Sequence, residues 1–394
     1  MPIASANDST SQPRRWSVLS FVLLSVLVLA YGLLNPKYNW DTIGYIASAE
    51  AISTDDPAAI HQAAYAAIRD HVSPAEFRAL IDGNSYRRAM YGSPDFLAAQ
   101  LPFYQIRPVY VFTLHLAAKL GVNIALATYL VSALFVIAAA GVIYLILGHM
   151  WPVGRAIYAP VVLLASQGLD LASLSTPDAM AYFGCLLAFY FLFTERIGAA
   201  LLIAPALVLV RTDLILFSGF LWAWVLFFYP GMRSRPAVYL SAIIAVLLYV
   251  AVNRTYGNHG WAAVFYHTFV EYLADPANAV FTIGLADYLG AVVDGTARIV
   301  TKPKQIAHVL LAALCLYGAR RLYRSDARQD RIISGLLVLS VGYLAIRYLA
   351  FPLWHSRFFA AEFAVQTIVF LRLALRLRPS ERAAYNVPRP ITAP

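Results

Sequence analysis

Residues 122–147 read VNIALATYLVSALFVIAAAGVIYLIL and contain no charged side chain. An α-helix needs roughly 17 to 25 mostly apolar residues to cross the bilayer core, so this stretch predicts a transmembrane helix. Similar runs recur along the 394 residues, of which 60% are hydrophobic and 13% are charged, whereas a soluble domain has about a quarter charged. We therefore predict an all-α, polytopic transmembrane protein forming a single integral-membrane domain, residues 1–394.

The net charge of +9 arises mostly from short basic clusters between apolar runs. Such clusters are typical of cytoplasmic loops in membrane proteins, so we expect membrane lipids as partners and no nucleic acid. The only two cysteines, Cys185 and Cys315, lie inside apolar segments. They predict packing residues, with no disulfide framework and no CxxC site.

Hydropathy and charge together predict about ten spans. The predicted spans are residues 17–34, 122–147, 156–173, 179–194, 197–210, 213–229, 236–252, 303–319, 332–351 and 358–375. The short apolar stretch 108–120 contains His115 and Lys119, and we place it in the outer interface. This choice puts the arginine clusters inside, as the positive-inside rule requires. We expect a plasma (inner) membrane protein with both termini, including the tail 376–394, in the cytoplasm.

Two long extracytoplasmic loops, residues 35–121 and 253–302, follow from this topology. In the first, Asp56-Pro57 predicts a helix N-cap with proline at the first helical position. Ser73-Pro74-Ala75-Glu76 predicts a capping box. We therefore expect the first loop to form juxtamembrane helices lying at the membrane surface.

Several charged or titratable residues from distant parts of the chain fall near the outer face in this topology. Charges at membrane depth are costly and usually face a cavity or pathway. Their convergence therefore predicts a functional site there. The candidates are Asp41, Arg107, Asp178, Arg211, His355 and Arg357.

Each candidate also has a purely structural interpretation. Asp41 could N-cap a helix beginning at Thr42, and Asp178 could stabilise the first turn of a helix through its dipole. Arg211 and Arg357 could snorkel to lipid headgroups. An interfacial histidine such as His355 requires no function. No HExxH, CxxC or DxD pattern occurs at these positions, so a tightly held metal is not indicated.

In chain order, the motifs around these residues resemble those of the GT-C superfamily of polyprenyl-phosphate-dependent membrane glycosyltransferases. The resemblance covers most of the chain in layout. The motifs are Trp40-Asp41…Gly44-Tyr45, Arg107-Pro108…Tyr110, Thr176-Pro177-Asp178, Leu209-Val210-Arg211-Thr212-Asp213 and His355-Ser356-Arg357-Phe358-Phe359.

The resemblance implies a hexosyl- or pentosyltransferase that moves a sugar from a polyprenyl-phosphate-linked donor to a glycan or lipid acceptor outside the cytoplasm. Asp41 would match the catalytic base, and Asp178 the second acidic residue, which in some members binds a divalent metal. The donor phosphate would be bound by Arg211, Arg357, His355 and Arg107. No other cofactor is implied, and the chain lacks the paired acidic motif of metal-dependent members around Asp178.

The residue types fit this chemistry independently. A carboxylate can accept the proton of an attacking hydroxyl, and arginines can stabilise a phosphate leaving group. Three other interpretations stay open: a transporter or flippase of lipid-linked saccharides, a ligase or polymerase of such saccharides, and a non-catalytic assembly subunit. Transporters often show paired halves with broken helices, and no such symmetry is visible here.

Overall fold

A computed structural model describes residues 11–151, 154–324 and 328–376. Over these residues the chain is helical and contains no β-strand, which confirms the predicted all-α class. The predicted cytoplasmic tail, apart from its first residue, lies outside the described residues.

Twenty helices follow one another in the described part of the chain, with 3-10 turns at Thr212–Leu214, Pro230–Met232 and Ser356–Phe358. The helices are α1 Ser11–Leu34, α2 Trp40–Glu50, α3 Pro57–Arg69, α4 Pro74–Asp82, α5 Ser85–Gly92, α6 Pro94–Gln100, α7 Pro102–Gln105, α8 Pro108–Lys119, α9 Ile124–Met150, α10 Arg155–Ala165, α11 Gly168–Leu171, α12 Asp178–Phe193, α13 Ile197–Val210, α14 Ile215–Phe228, α15 Pro236–Thr255, α16 Gly260–Phe269, α17 Leu285–Thr301, α18 Pro303–Tyr323, α19 Arg328–Ala350 and α20 Ala360–Arg376.

Four described helices, α1, α9, α15 and α19, are long and apolar enough to cross a membrane. Helices α17 and α18 meet at an angle of 92° and would make a fifth if the bent pair is one span. Helices α10, α12, α13 and α14 are apolar but shorter. These helices are compatible with a membrane-embedded protein. A helix lies in each of the predicted spans, but the count of about ten crossings stays a prediction.

Residues 35–121 fold into the seven short helices α2–α8. Asp56 accepts a hydrogen bond from the Ala58 N–H at the start of α3, at 3.0 Å. Ser73 and Glu76 bond each other's backbone N–H groups at 3.3 and 2.9 Å in a capping box. Both predicted helix starts are therefore confirmed.

Helix α2 begins one residue before Asp41, at Trp40, and its N-cap residue is Asn39. The interpretation of Asp41 as the cap of a helix beginning at Thr42 is therefore wrong. Asp41 lies in the first turn instead, where the helix dipole favours a carboxylate. Asp178 likewise lies in the first turn of its helix, α12, as the sequence predicts.

Two large apolar clusters form most of the core. The larger one joins α1, α9–α15 and α18–α20, and the smaller one joins α2–α4 and α6–α8 with the first turns of α9. In the smaller cluster, Tyr45 packs edge-on against Tyr104 and Tyr110, with ring centroids 5.1 and 4.9 Å apart. Met180 of α12 belongs to the same cluster. The loop helices therefore dock on the start of α12, which carries Asp178.

The close packing of α1 against the segment before α12 can be tested by mutation. A Cβ on buried Gly32 would lie 2.6 Å from the Ala172 carbonyl oxygen and 3.0 Å from the Ala133 Cβ. Because a backbone oxygen cannot swing away, we expect Gly32→Ala to lower stability by about 1–3 kcal/mol. The measurement is the apparent Tm of purified protein in detergent. Gly198→Ala, at an exposed helical glycine with open space around it, should leave Tm unchanged or raise it.

Candidate active site

A cavity of about 650 Å³ opens where the loop helices meet the ends of α12, α13 and α19. This volume lies within the range of roughly 300–1,000 Å³ usual for ligand pockets. Its charged lining consists of five arginines and three aspartates, an excess of two positive charges that attracts anions. These residues are Arg87, Arg107, Arg211, Arg347, Arg357, Asp41, Asp178 and Asp213.

Asp178 and Arg211 are buried charges of the cavity, with side chains only 3% and 7% exposed. The Arg211 Nη1 donates to Asp178 Oδ1, while Thr176 Oγ1 donates to Asp178 Oδ2 at 2.7 Å. The other Arg211 donors, Nε and Nη2, reach the two oxygens of Asp213 at 3.1 and 2.8 Å. Every donor nitrogen of Arg211 is therefore engaged by a carboxylate, so its headgroup is held in place.

Two more arginines extend this pair into a chain of alternating charges. Arg347 Nη2 lies 3.2 Å from Asp213 Oδ2. Arg357 Nε lies 3.4 Å from Asp178 Oδ2, and its two Nη atoms lie 3.4 Å from Asp41 Oδ2. The sequence of contacts runs from Asp41 through Arg357, Asp178, Arg211 and Asp213 to Arg347. We call these six residues the ion chain. It balances three negative charges with three positive ones in a largely buried place.

The ring of Phe358 lies among the three guanidinium groups of the ion chain. Its centroid is 4.6 Å from Arg211 Cζ, 5.1 Å from Arg347 Cζ and 5.0 Å from Arg357 Cζ. The negative face of an aromatic ring attracts cations. Phe358 thus offsets part of the repulsion among three arginines that would otherwise oppose their close approach.

Asp41 is the carboxylate at the outer end of the ion chain. Its side chain is 32% exposed, and its Oδ2 accepts only long hydrogen bonds, from Arg357 and, at 3.3 Å, from Asn39 Nδ2. Although burial by itself lowers it, the pKa of the Arg357 guanidinium is held above its usual value by Asp178 and Asp41. Arg357 is therefore a permanent cation, beside a carboxylate that a ligand can reach.

Arg107 differs from the arginines of the ion chain because no ion pair in the described part of the protein includes it. Its Nη1 donates to the Phe103 carbonyl oxygen, and its guanidinium lies 5.9 Å from the Tyr45 ring centroid. Arg107 lines the cavity, so it supplies a positive charge that is not held in an ion pair with a described carboxylate.

Five of the six predicted site residues line this cavity, namely Asp41, Arg107, Asp178, Arg211 and Arg357. The sixth, His355, is exposed and is not among the lining residues; its ring meets Phe358 edge-on at 5.8 Å. The 3-10 turn Ser356–Phe358 follows His355 directly, and across this turn Arg357 lines the cavity whereas His355 does not. The structure does not bring His355 to the cavity.

Sequence reasoning missed Arg347 and placed Asp213 at the outer face only as part of the Arg211 motif; these two residues complete the ion chain. Arg347 is only 6% exposed in α19, within the predicted span 332–351. A lone arginine in an apolar span must find a partner, because an unpaired buried charge is costly. The position of Arg347 in an apolar span is therefore a signal in the sequence, but it does not identify the carboxylate that the arginine contacts.

A divalent metal does not fit the surroundings of Asp178. No group of three or more His, Cys, Asp or Glu side chains suited to a metal occurs among the residues with described positions. The Asp178 oxygens are bound by Arg211 and Thr176, with Arg357 nearby. Two guanidinium groups next to the same carboxylate repel a cation.

No protein-family model, curated protein or solved structure matches this chain. The resemblance to the GT-C superfamily therefore stays a prediction. The residues of the cavity are the basis for assigning a function.

Asp178 is buried and Asp41 is partly exposed, so substitutions at the two positions should lower stability by different amounts. Asp178→Asn breaks a buried ion pair, so we expect it to cost about 3–5 kcal/mol. Asp41→Asn removes a partly exposed contact and should cost less than about 1 kcal/mol. Apparent Tm values of the purified variants test this order. Asp82→Asn, which removes an exposed pair with Arg88, is the matched control and should be neutral. Equal Tm losses at positions 41 and 178 would contradict the described burial.

Proposed function

We propose that the protein is a GT-C-type glycosyltransferase that moves a sugar from a polyprenyl-phosphate donor to an acceptor hydroxyl. The observation that supports this proposal best is the accessible carboxylate of Asp41 in a cavity with an excess of arginines. Transfer of a sugar from a lipid phosphate needs one group that accepts a proton and a second, cationic group that stabilises the departing phosphate. The order of motifs along the chain supports the same class.

Asp41 is the proposed base. It accepts the proton of the acceptor hydroxyl while that oxygen forms a bond to the anomeric carbon of the donor. The bond between the anomeric carbon and the phosphate oxygen breaks, and its electron pair leaves with the lipid phosphate. The transition state resembles an oxocarbenium ion, as in glycoside hydrolysis, and the same carboxylate favours this developing positive charge. We expect inversion at the anomeric carbon, as the resemblance implies.

Arg357 and Arg107 are the proposed contacts of the phosphate. Arg357 holds Asp41 only through contacts of 3.4 Å, at the long end for a charged pair. A donor phosphate can therefore take over these Nη donors, which frees Asp41 to accept a proton. Arg107 forms no ion pair with a carboxylate in the described part of the chain. The Arg211 donors, in contrast, are all engaged, so we assign Arg211 and Asp178 to positioning Arg357.

The proposal includes an orientation in the membrane. About ten spans would place both termini in the cytoplasm of a plasma-membrane protein. The cavity would then face the extracytoplasmic side, with α8 in the outer interface. A lipid-linked donor needs a site of this kind at the membrane surface, because its headgroup cannot leave the bilayer plane.

The decisive assay is transfer of labelled sugar from a panel of polyprenyl-phosphate donors by the purified protein in lipid. We expect Asp41→Asn to reduce kcat by about 10²–10⁴-fold because the base is lost, with donor binding retained. Asp170→Asn is the matched control, since this aspartate pairs with Lys37 at 3.6 Å and does not line the cavity. Its transfer rate should equal that of the wild type.

The outcomes of this assay separate the candidate functions. Unchanged transfer by Asp41→Asn would keep the enzyme and remove Asp41 from the chemistry. No transfer from any donor, despite saturable lipid binding, would overturn the glycosyltransferase and favour transport or assembly. Products longer than one added sugar would indicate a polymerase or ligase.

The orientation can be tested with cysteines introduced one at a time. The native Cys185 and Cys315 are both buried, so they should not react with the label. In intact cells, a membrane-impermeant maleimide should label Asp55→Cys and Glu271→Cys, at exposed positions in the two predicted outer loops. Exposed Ser234→Cys, between α14 and α15, should react only after permeabilisation. Labelling of position 234 from outside would show either that α8 crosses the membrane or that α13 and α14 form a single bent span, and either would invert everything after it.

A further inference from the structure

The cavity has a second region that the transfer step proposed above does not use. It consists of aromatic, amide and imidazole side chains from the loop helices and from the segment around α16. We call Trp40, Asn84, Tyr86, His267 and Tyr272 the aromatic rim; all five line the cavity. Trp40 immediately precedes Asp41 in the first turn of α2, so the aromatic rim and the proposed base are adjacent.

Hydrogen bonds hold the aromatic rim in one arrangement. Tyr86 Oη accepts from Trp40 Nε1 at 3.2 Å and donates to Gln100 Oε1 at 3.0 Å. The buried Gln100 amide then donates to the carbonyl oxygens of Leu273 and Ala274, at 2.9 and 3.0 Å. This network joins three separate segments of the chain, so a ligand finds the rings already positioned. Such preorganisation lowers the entropic cost of binding.

Tyr272 offers an open ring surface. Its ring stacks on Tyr86 with centroids 5.4 Å apart and planes at 28°, yet the residue stays 59% exposed. Large exposed aromatic rings are costly in water, and tyrosine pairs an apolar face with a polar hydroxyl. The apolar C–H face of a sugar ring is a suitable partner for such a surface.

Two hydrogen-bond donors of the aromatic rim lack a partner among the described residues. The Leu273 N–H donates to His267 Nδ1 at 3.1 Å, and burial lowers the pKa of His267 to about 4. The imidazole is therefore neutral at pH 7, with its proton on Nε2, where it can serve as a donor. Asn84 Oδ1 accepts from the Arg87 N–H at 2.8 Å, which leaves the Nδ2 group free to donate.

These features together select one class of ligand. A lipid tail would need an aliphatic surface, whereas the aromatic rim presents unused donors beside its rings. A peptide that binds as an added strand needs a sheet edge, and the described part of this protein has no strand. A saccharide combines an apolar ring face with hydroxyl groups along its edge. This class matches both the rings and the donors.

We propose that the aromatic rim is the acceptor subsite and that it binds a saccharide. The assignment rests on the glycosyltransferase function proposed above and identifies the acceptor as a glycan instead of a lipid. A sugar packed on Tyr272, with hydroxyls accepting from His267 Nε2 and Asn84 Nδ2, has its free edge toward Trp40 and Asp41. One of its hydroxyls is then the group that Asp41 deprotonates.

The test is saturation-transfer NMR with the full chain in lipid nanodiscs. The probes are the methyl glycosides of glucose, galactose and mannose, each added separately. We expect saturation of the ring protons of at least one glycoside by the wild type. The signal should fall at least about fivefold in Tyr272→Ala and in His267→Phe, which lose a stacking surface and a donor. Tyr239→Ala, at a 51% exposed tyrosine of α15 outside the cavity, is the control and should behave as wild type.

His267→Phe keeps a ring that can pack against Tyr86 and Phe103, and Tyr272 is exposed, so both variants should fold; their Tm values check this. No signal from any of the three glycosides, or equal signals in folded Tyr272→Ala and wild type, would overturn the acceptor subsite. Binding without transfer in the separate donor assay would overturn the transferase and leave a saccharide site. Transfer with an unchanged acceptor KM in both variants would support the transferase and overturn the acceptor subsite.

Discussion

The ion pair between Arg211 and Asp178 is the interaction on which the rest of the site depends. Both side chains are nearly excluded from solvent, and a buried charge without a partner is strongly destabilising. Arg211 follows α13, Asp178 begins α12, and their remaining contacts reach Asp213 and Arg357. A single electrostatic requirement therefore holds several helix ends together at the floor of the cavity.

The charged residues of the cavity have different roles because they differ in burial. The buried charges form ion pairs with one another, and these pairs hold the helix ends in place. The accessible and weakly held ones are Asp41, Arg357 and Arg107, a carboxylate with cations able to receive an anion. Asp213 is similarly exposed but is held by two arginines. This division explains why two aspartates in the first turns of helices have different proposed roles: Asp178 positions other groups and Asp41 faces the reactants.

The site also lies at the boundary between two packing units. The loop helices contribute Asp41, Arg107 and the rings of Trp40 and Tyr86, whereas the helix bundle contributes Asp178 and the arginines of the ion chain. Met180 of α12 packs in the core of the loop helices and so joins the two units. Within the loop helices, a Cβ at Gly44 would lie 2.5 Å from the Tyr104 ring, so α2 can approach that ring only because the side chain is absent.

The sequence by itself determined the helical class, the helix starts at Asp56 and Ser73, and most of the charged residues of the cavity. Each of these follows from local rules: hydropathy, capping chemistry and the cost of charge among apolar neighbours. Only the tertiary structure decided that Arg211 is fully paired, that Arg347 and Asp213 complete the ion chain and that His355 lies outside it. Those outcomes depend on how each helix is rotated about its axis and which distant side chains it meets. Hydropathy along a single chain does not encode such rotations, because an apolar helix in lipid can present any of its faces to a neighbour.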